Sequence, residues 1–285
     1  MRKKARADLA KSDELPENPI PENMTEDATQ VSELKKWIYN QNPNNNVLDS
    51  LYPYYLYNGE YRGISSKENI KKNTVVLSMQ ANSYISLNND ARPLPMNQKI
   101  DDHKLRLMGP THTLIANYML TEWEKGSESK WSTFFKILPK KFDSMATAFT
   151  PDEKKWLKGS SMVAMIDQKL KELRDDYNKV ADLIEGYRER FTFDDFHYFR
   201  SMIITRTFGI SYYDPKRKYD KDTIVVPYSD LINHEHPHDI HWGWNHKSNA
   251  FEFVTVKDIP KNKEIFASYG HKCNTRFLLN YGFVE

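Results

Sequence analysis

Cysteine is almost absent from this sequence, which contains a single one, Cys273. One thiol cannot form a disulfide within the chain, and it cannot supply the sulfur ligands of a cysteine-rich zinc site. Such a composition is typical of proteins of the cytosol or the nucleus. A basic cluster in the first residues is either a nuclear import signal or part of a solvated tail. We therefore expect a cytoplasmic and/or nuclear protein.

Glycine is also scarce, with ten residues, and the glycine-rich phosphate loops are missing. No G-x-G-x-x-G follows a candidate strand, so the sequence supports neither a dinucleotide site nor the common Rossmann-type methyltransferase site. G-x-x-x-x-G-K-[ST] is absent as well, which argues against a P-loop.

Long apolar runs and a strong charge imbalance are both missing. No stretch approaches the roughly 20 apolar residues of a membrane-spanning helix. The first residues are charged and no apolar stretch follows them, so we expect no secretory leader. The 41 basic and 39 acidic side chains give a net charge of +2, which indicates no general affinity for nucleic acid. A chain of 285 residues can form one large domain or two modest ones.

The N-terminal segment predicts a disordered tail followed by a short helix. Residues 1–28 are charged, contain three prolines and have few large apolar side chains, so they cannot offset the entropy of ordering. A helix is expected around residues 31–39, with Val31, Leu34 and Ile38 on one face.

Short apolar runs predict strands on both sides of a central helical block. The candidate strands are 75–79, 83–87, 224–226, 251–254 and 264–267. Asn73 and Asn262 occupy expected turns, where asparagine tolerates a positive φ better than other residues with a side chain.

Residues 103–209 have a helical pattern. Thr150 and Thr192 are predicted to begin helices, because each is followed by acidic residues that suit a first turn. Apolar residues at spacings of three and four between Ile166 and Ile184 mark one buried face. The order of segments predicts an α+β fold in which a β domain is interrupted by a helical insertion.

Four short runs carry the most specific signal. They are 61–64 (YRGI), 230–234 (DLINH), 268–270 (SYG) and 280–283 (NYGF). Together these runs resemble the signature of SET-domain methyltransferases, and more narrowly that of the Rubisco large-subunit methyltransferase (LSMT) branch.

The resemblance extends over most of residues 59–285 and implies a SET-type β fold with a pseudoknot. The chain would then consist of an N-terminal helix and first SET β segment at 29–102, a helical insertion at 103–209, and a C-terminal SET segment at 210–285. The helical C-terminal domain with which this branch grips its protein substrate is expected to be absent.

Tyr269 is the first candidate for a catalytic residue. The resemblance implies methyl transfer from a sulfonium, in which a tyrosine hydroxyl polarises the methyl group and helps to orient the incoming nitrogen. Tyr281 is the second candidate, and with Phe283 it would line an aromatic channel for a lysine stem. A dry channel beside a sulfonium lowers the pKa of a lysine, so we name no general base. From the residues alone, a Tyr-Gly pair favours an ordinary core tyrosine at a strand end.

The implied cofactor is S-adenosyl-L-methionine. Gly63 is expected to let the chain pass close to this ligand, and Arg206 to hold its carboxylate. Without the resemblance, Arg206 is an ion pair on a helix surface, Asp230 a turn cap and His234 a core histidine. The implied cofactor-binding residues are Glu60, Arg62, Gly63, Arg206, Asp230, Asn233, His234, Tyr269 and Phe283.

Histidines crowd the segment that follows. They are His234, His236, His238, His241 and His246. Because no cysteine and few carboxylates lie nearby, and because the spacing matches no standard metal site, we expect no metal. Trp242 and Trp244 alternate with Gly243, as half-buried strand residues do. A metal-dependent hydrolase built on the histidines is a distant alternative.

The leading hypothesis is an S-adenosylmethionine-dependent protein-lysine N-methyltransferase that acts on a non-histone protein. Two alternatives stay open, namely a protein-histidine N-methyltransferase of the actin type and a non-catalytic binding module with a SET fold. Tyr281, in place of a smaller residue, favours lysine, and the presence of both Tyr269 and Tyr281 favours an enzyme. We expect a lysine-bearing protein as partner, no direct contact with nucleic acid or membrane, and a monomer.

Overall fold

The computed structural model describes residues 20–214 and 218–285. Residues 1–19, which form most of the predicted tail, lie outside the described residues, and so does the basic cluster at 2–6. Within the described ranges, no helix is long and apolar enough to cross a membrane.

The first helix, α1 (Thr25–Gln41), extends beyond its predicted bounds at both ends. Its start lies inside the predicted tail, so the boundary of that tail differs from the prediction. The reason is that Ala28 adds one more turn to the buried face formed by Val31, Leu34 and Ile38. Apolar spacing therefore located the helix but not its first turn.

A helical block occupies the middle of the chain. It begins at Pro95, ahead of the predicted residue 103, and ends at Arg206. The helices are α2 (Pro95–Asp102), α3 (Pro110–Glu124), α4 (Ser132–Lys136), α5 (Pro151–Lys155), α6 (Met162–Leu183), α7 (Tyr187–Arg190) and α8 (Phe193–Arg206). A last helix, α9 (Asn274–Tyr281), lies near the C-terminus.

Capping boxes fix two helix starts in this block, as predicted. The Thr150 hydroxyl accepts from the backbone N–H of Glu153 over 3.2 Å, and the Glu153 carboxylate accepts from the N–H of Thr150 over 2.8 Å. Thr192 and Asp195 form the same pair of bonds. The helix that follows Thr150 is short, however, and the buried face from Ile166 onward belongs to the separate helix α6.

The strands form three sheets. One has six strands in the order β1-β4-β10-β9-β11-β8, one pairs β2 with β3, and one has the order β5-β7-β6. The strands are β1 (Asn46–Val47), β2 (Leu51–Leu56), β3 (Tyr61–Ser66), β4 (Val75–Gln80), β5 (Ile85–Ser86), β6 (Thr207–Asp214), β7 (Lys218–Val225), β8 (Asn233–His234), β9 (Ile240–Asn245), β10 (Ala250–Thr255) and β11 (Phe266–Ala267).

Each predicted β run overlaps a strand, with different ends. The central pair is β4 and β10, whose Leu77 and Phe253 face each other and are fully buried. Both asparagine turns have the expected positive φ, 65° at Asn73 and 59° at Asn262. These turns confirm that asparagine supplies the left-handed backbone that glycine would otherwise provide.

The order of the six-stranded sheet contains a crossing. Strand β11 lies between β8 and β9, which follow each other in the sequence, and it runs parallel to both. The N–H of Ile265 just before β11 also donates to the carbonyl of Ile64 in β3 over 2.9 Å. A late strand is thus inserted between two earlier ones, which agrees with the pseudoknot that the resemblance implies.

A small apolar cluster attaches α9 to the helical block. It consists of Ala146, Met162, Ile166 and Leu279, and it is separate from the main core, which spans the sheets and most of the block. Because α9 ends at Tyr281, this cluster determines where the last aromatic residues lie.

The helical block contains a buried ion pair on which we expect its stability to depend. Arg200 and Asp176 are 3.2 Å apart, and their side chains are 7% and 0% exposed. Replacing Asp176 by alanine leaves a buried guanidinium without its counter-charge, which should lower the free energy of unfolding by about 3–5 kcal/mol. Urea titration followed by circular dichroism measures the loss.

The matched control is Glu124→Ala, which removes the partner of the more exposed Arg190. It should cost less than about 1 kcal/mol, because an exposed pair gains little from its attraction in water. Equal losses in the two variants would contradict the assignment.

Candidate functional site

One cavity collects almost all the residues that the sequence analysis selected. It has a volume of about 640 Å³, and the start of α1, the β2–β3 turn, the end of α8 and the C-terminal motifs surround it. Gly63 is the single predicted site residue that does not line it. The others do, namely Glu60, Arg62, Arg206, Asp230, Asn233, His234, Tyr269, Tyr281 and Phe283.

His234 joins the two C-terminal motifs. Its ring is buried, and its Nδ1 lies 3.1 Å from the backbone nitrogen of Tyr269. Because a backbone N–H can only donate, Nδ1 is the acceptor and the ring proton lies on Nε2. Nδ1 also lies 3.2 Å from the carbonyl oxygen of Ala267, but this contact is not a hydrogen bond because Nδ1 carries no proton. Nε2 lies 3.0 Å from the Glu285 carboxylate, so both ring nitrogens are engaged within the chain.

The Tyr269 side chain is held at both its ring and its hydroxyl. Its ring stacks on the His234 ring at 5.1 Å, and its hydroxyl donates to the backbone carbonyl of Ile232 over 2.8 Å. Burial raises the pKa of the phenol above its ordinary value, so the hydroxyl stays protonated at neutral pH. Because the O–H donates to the Ile232 carbonyl, the lone pairs of the hydroxyl oxygen remain available to accept hydrogen bonds.

Aromatic side chains surround Tyr269. The rings of Tyr281 and Phe283 lie 5.2 Å and 6.2 Å from the Tyr269 ring, and Phe277 supports Phe283 at 5.0 Å. Burial also raises the pKa of Tyr281, so this wall carries no negative charge at neutral pH. The three C-terminal aromatic residues of the prediction therefore form one face of the cavity.

Arg206 and Asp230 form an ion pair in the cavity wall. The guanidinium Nε is 3.0 Å from Asp230 Oδ2, and the side chains are only 12% and 1% exposed. The pair is therefore not the helix-surface pair that the sequence left open. The other carboxylate oxygen, Asp230 Oδ1, is buried and accepts no hydrogen bond within the described part of the chain.

Arg62 has its side chain engaged by α1. Its guanidinium is 2.7 Å from Asp27 Oδ1 and donates to the carbonyl of Ile137 over 2.9 Å, while the Tyr55 hydroxyl donates to Asp27 Oδ2 over 2.6 Å. Sequence reasoning missed Asp27 because it placed this residue in the disordered tail. An acidic residue in the first turn ahead of the Val31 face was the available signal.

Glu264 is the second residue that the sequence analysis missed. Its carboxyl is buried between β3 and β8, where it accepts from the Tyr61 hydroxyl over 2.8 Å and from Asn233 Nδ2 over 2.8 Å. Burial raises its pKa to about 7, although these hydrogen bonds oppose the shift. A carboxyl that titrates near neutrality therefore adjoins the cavity.

Gly63 makes room for side chains of the chain itself. A Cβ at this position would lie 2.5 Å from Glu264 Oε1 and 2.8 Å from the ring of Tyr54, and the residue does not line the cavity. The glycine therefore accommodates the Glu264 carboxyl, and the close approach of a ligand at this position stays a prediction.

The histidine segment gives the expected strand. Trp242 and Trp244 are half-buried in β9 and pack on Phe208 and Tyr212 of β6. His236 and His271 lie 4.8 Å apart ring to ring, on the surface. No group of three His, Cys, Asp or Glu side chains among residues 20–214 and 218–285 is placed to hold a metal ion.

The fold and the motifs define the class of protein. Residues 61–270 match the SET domain family, and the chain belongs to that family. The resemblance on which the sequence analysis relied is confirmed.

Curated relatives are similar over part of their length. SET domain-containing protein 4 of Artemia parthenogenetica is 29% identical over 180 residues, which are 61% of this chain and 44% of that protein. Ribosomal lysine N-methyltransferase 4 of Saccharomyces cerevisiae is 26% identical over 245 residues, which are 79% of this chain and 49% of that protein. The chain thus spans about half the length of the relatives it matches.

A solved structure has the same fold. The SET domain of LSMT bound to lysine and AdoHcy superposes with a TM-score of 0.72 at 17% identity, over 90% of this chain and 57% of that one. This likeness confirms the predicted α+β SET fold.

Replacing Gly63 by alanine tests whether the Glu264 carboxyl needs the space that this glycine leaves. The added methyl would overlap the Glu264 carboxyl, so we expect Gly63→Ala to lower the free energy of unfolding by about 1–3 kcal/mol without any ligand present. Thermal and urea unfolding measure the change. Gly209→Ala is the matched control, because a Cβ there meets nothing within 4 Å and its strand should be unaffected or slightly stabilised. A neutral Gly63→Ala would show that the carboxyl does not need this space.

Proposed function

We propose that this chain is an S-adenosylmethionine-dependent protein-lysine N-methyltransferase that acts on a non-histone protein. One observation carries the proposal, namely the Tyr269 hydroxyl, fixed on the Ile232 carbonyl inside a cavity with an aromatic wall. A phenol oxygen with its proton engaged presents only lone pairs, which suits weak hydrogen bonds from a methyl group that carries partial positive charge.

The polar atoms of the cavity fit this cofactor. S-adenosylmethionine has an ammonium group, a carboxylate, a sulfonium and an adenine. Asp230 lines the cavity, and its buried Oδ1 accepts no hydrogen bond among the described residues, which suits a cationic donor. The Arg206 guanidinium, which uses its Nε on Asp230 and its Nη1 on Thr205, has further N–H groups for a carboxylate. Phe283 supplies an apolar face.

The chain's residues bind, orient and exclude water. When bound, the cofactor supplies an electrophilic methyl group on its sulfonium. Tyr281 and Phe283 enclose the aliphatic stem of the substrate lysine, and their rings keep water away from its tip. A lysine amine, with an ordinary pKa of ~10.4, becomes easier to deprotonate in such a dry environment. The site therefore needs no dedicated general base.

The acceptor protein is the finer part of the proposal. The yeast relative is named a ribosomal lysine N-methyltransferase, and the structural neighbour binds lysine, which supports a lysine on a non-histone protein. The near-neutral net charge of +2 supports a protein partner over nucleic acid. The single cysteine, Cys273, supports action in the cytoplasm and/or the nucleus.

Tyr269→Phe tests the reaction and its residue together. We expect transfer of radiolabelled methyl groups from S-adenosylmethionine to proteins of a cell extract to fall by roughly 10²-fold, because the variant loses only the oxygen that faces the methyl group. Cofactor binding, read as a rise in melting temperature, should persist. Tyr52→Phe is the control, since Tyr52 lies in β2 outside the cavity.

Mass spectrometry of the labelled residue separates the alternatives. A labelled lysine supports the proposal, and a labelled histidine assigns the chain to the actin-type reaction. Cofactor binding without any label, beside an active control enzyme, would favour a binding module. Wild-type rates in Tyr269→Phe would contradict the role given to the phenol.

A further inference from the structure

The carboxyl of Glu264 lies at the meeting point of three segments around the cavity. It is 7% exposed and comes just before β11, where Ser65 of β3 pairs with it through the backbone. Its oxygens accept from Tyr61 in β3 and from Asn233 in β8, two residues of the cavity wall. Glu264 itself does not line the cavity, so it acts on the cavity through its neighbours.

The amide of Asn233 is oriented by this carboxyl. One N–H of Nδ2 donates to Glu264 Oε1 over 2.8 Å, and the other donates to the carbonyl of Arg62 over 2.8 Å. Both amide hydrogens are therefore engaged, and Oδ1 is the polar atom that remains for a ligand. Rotation of the amide by half a turn would set its oxygen against two acceptors, so the Glu264 carboxyl selects one orientation.

We propose that Glu264 is a positioning residue of the cofactor site, and that uptake of the cationic cofactor releases a proton from its carboxyl to solvent. The inference rests on the proposed function, because it takes S-adenosylmethionine as the ligand. The proton balance is simple, since a neutral carboxyl becomes a carboxylate and the proton enters the buffer.

The surroundings of Glu264 favour such a coupling. The titratable groups that face it are Tyr54 from β2, Tyr61 from β3, Tyr269 after β11, and Glu235 after β8. Three are phenols and one is an acid, so none supplies a positive charge. Burial places the pKa of Glu264 at about 7, where a small change of potential alters its protonation. A ligand with a net positive charge in the adjoining cavity lowers this pKa and draws off the proton.

Calorimetric titration of the full chain with S-adenosylmethionine tests the coupling. Near pH 6.5 the apparent binding enthalpy should differ between phosphate and Tris in the direction of proton release. Affinity should tighten by up to about tenfold between about pH 6 and pH 8, because the ionised carboxyl is the form that the cofactor favours.

Two variants separate positioning from proton release. Glu264→Gln keeps an acceptor for Asn233 but has no proton to lose, so it should bind with little dependence on buffer or pH. Glu264→Leu leaves the Asn233 amide without its acceptor and should bind at least about tenfold more weakly at every pH. Glu252→Gln is the matched control, because Glu252 is an equally buried acid in β10, away from the cavity.

Buffer-independent heat in the wild type, or the same proton release from Glu264→Gln, overturns the inference while leaving the proposed function intact. Wild-type affinity in Glu264→Leu overturns the positioning role. A wild-type chain that binds no S-adenosylmethionine overturns both proposals. If Glu264→Leu fails to fold, the wild-type and Glu264→Gln titrations still decide whether binding releases the proton.

Discussion

The insertion of β11 between β8 and β9 is the constraint on which the functional cavity depends. A strand of two residues has few ladder bonds, so neighbouring groups must fix it. The backbone N–H of Phe266 donates to the Asp239 carboxylate over 2.9 Å, and its carbonyl accepts from the N–H of Asp239 over 2.9 Å. Together with the bond from Ile265 to Ile64, these contacts set Tyr269 beside His234.

Internal hydrogen bonds then decide which atoms remain for a ligand. The Tyr269 hydroxyl donates to a carbonyl, both ring nitrogens of His234 are engaged, and Asp27 of α1 binds the Arg62 guanidinium. The groups that remain for a ligand include two acceptors, Asp230 Oδ1 and Asn233 Oδ1, and the remaining N–H donors of Arg206, beside an aromatic wall. The way the fold satisfies its own polar groups therefore leaves partners for both a cationic and an anionic group of a ligand.

Local patterns predicted the parts of the structure that depend on near neighbours. The face of α1, the two capping boxes and the positive φ of Asn73 and Asn262 each involve residues only a few positions apart. The four motif runs located the C-terminal part of the cavity wall and two residues of β3 for the same reason, since each run is read within a few residues.

The parts that were missed depend on contacts between distant residues. Glu264 meets Tyr61 across 203 positions and Asn233 across 31, and the close approach of Glu264 to Gly63 appears only in the folded chain. Asp27 was missed because a charged, proline-containing segment concealed a helix whose first turn is stabilised by Arg62 and Tyr55. Composition reports on a segment in isolation, and tertiary contacts can order a segment that composition assigns to a tail.

The helical insertion determines the cavity through two fixed points. One is Arg206, the last residue of α8, whose pairing with Asp230 joins the insertion to the C-terminal motif. The other is Gly282, which has a φ of 75° and where a Cβ would lie 2.7 Å from the carbonyl oxygen of Ser144. Only glycine fits both the backbone conformation and the close approach. Because Tyr281 and Phe283 flank this glycine, the position of the aromatic wall is set by how closely the end of α9 approaches the insertion.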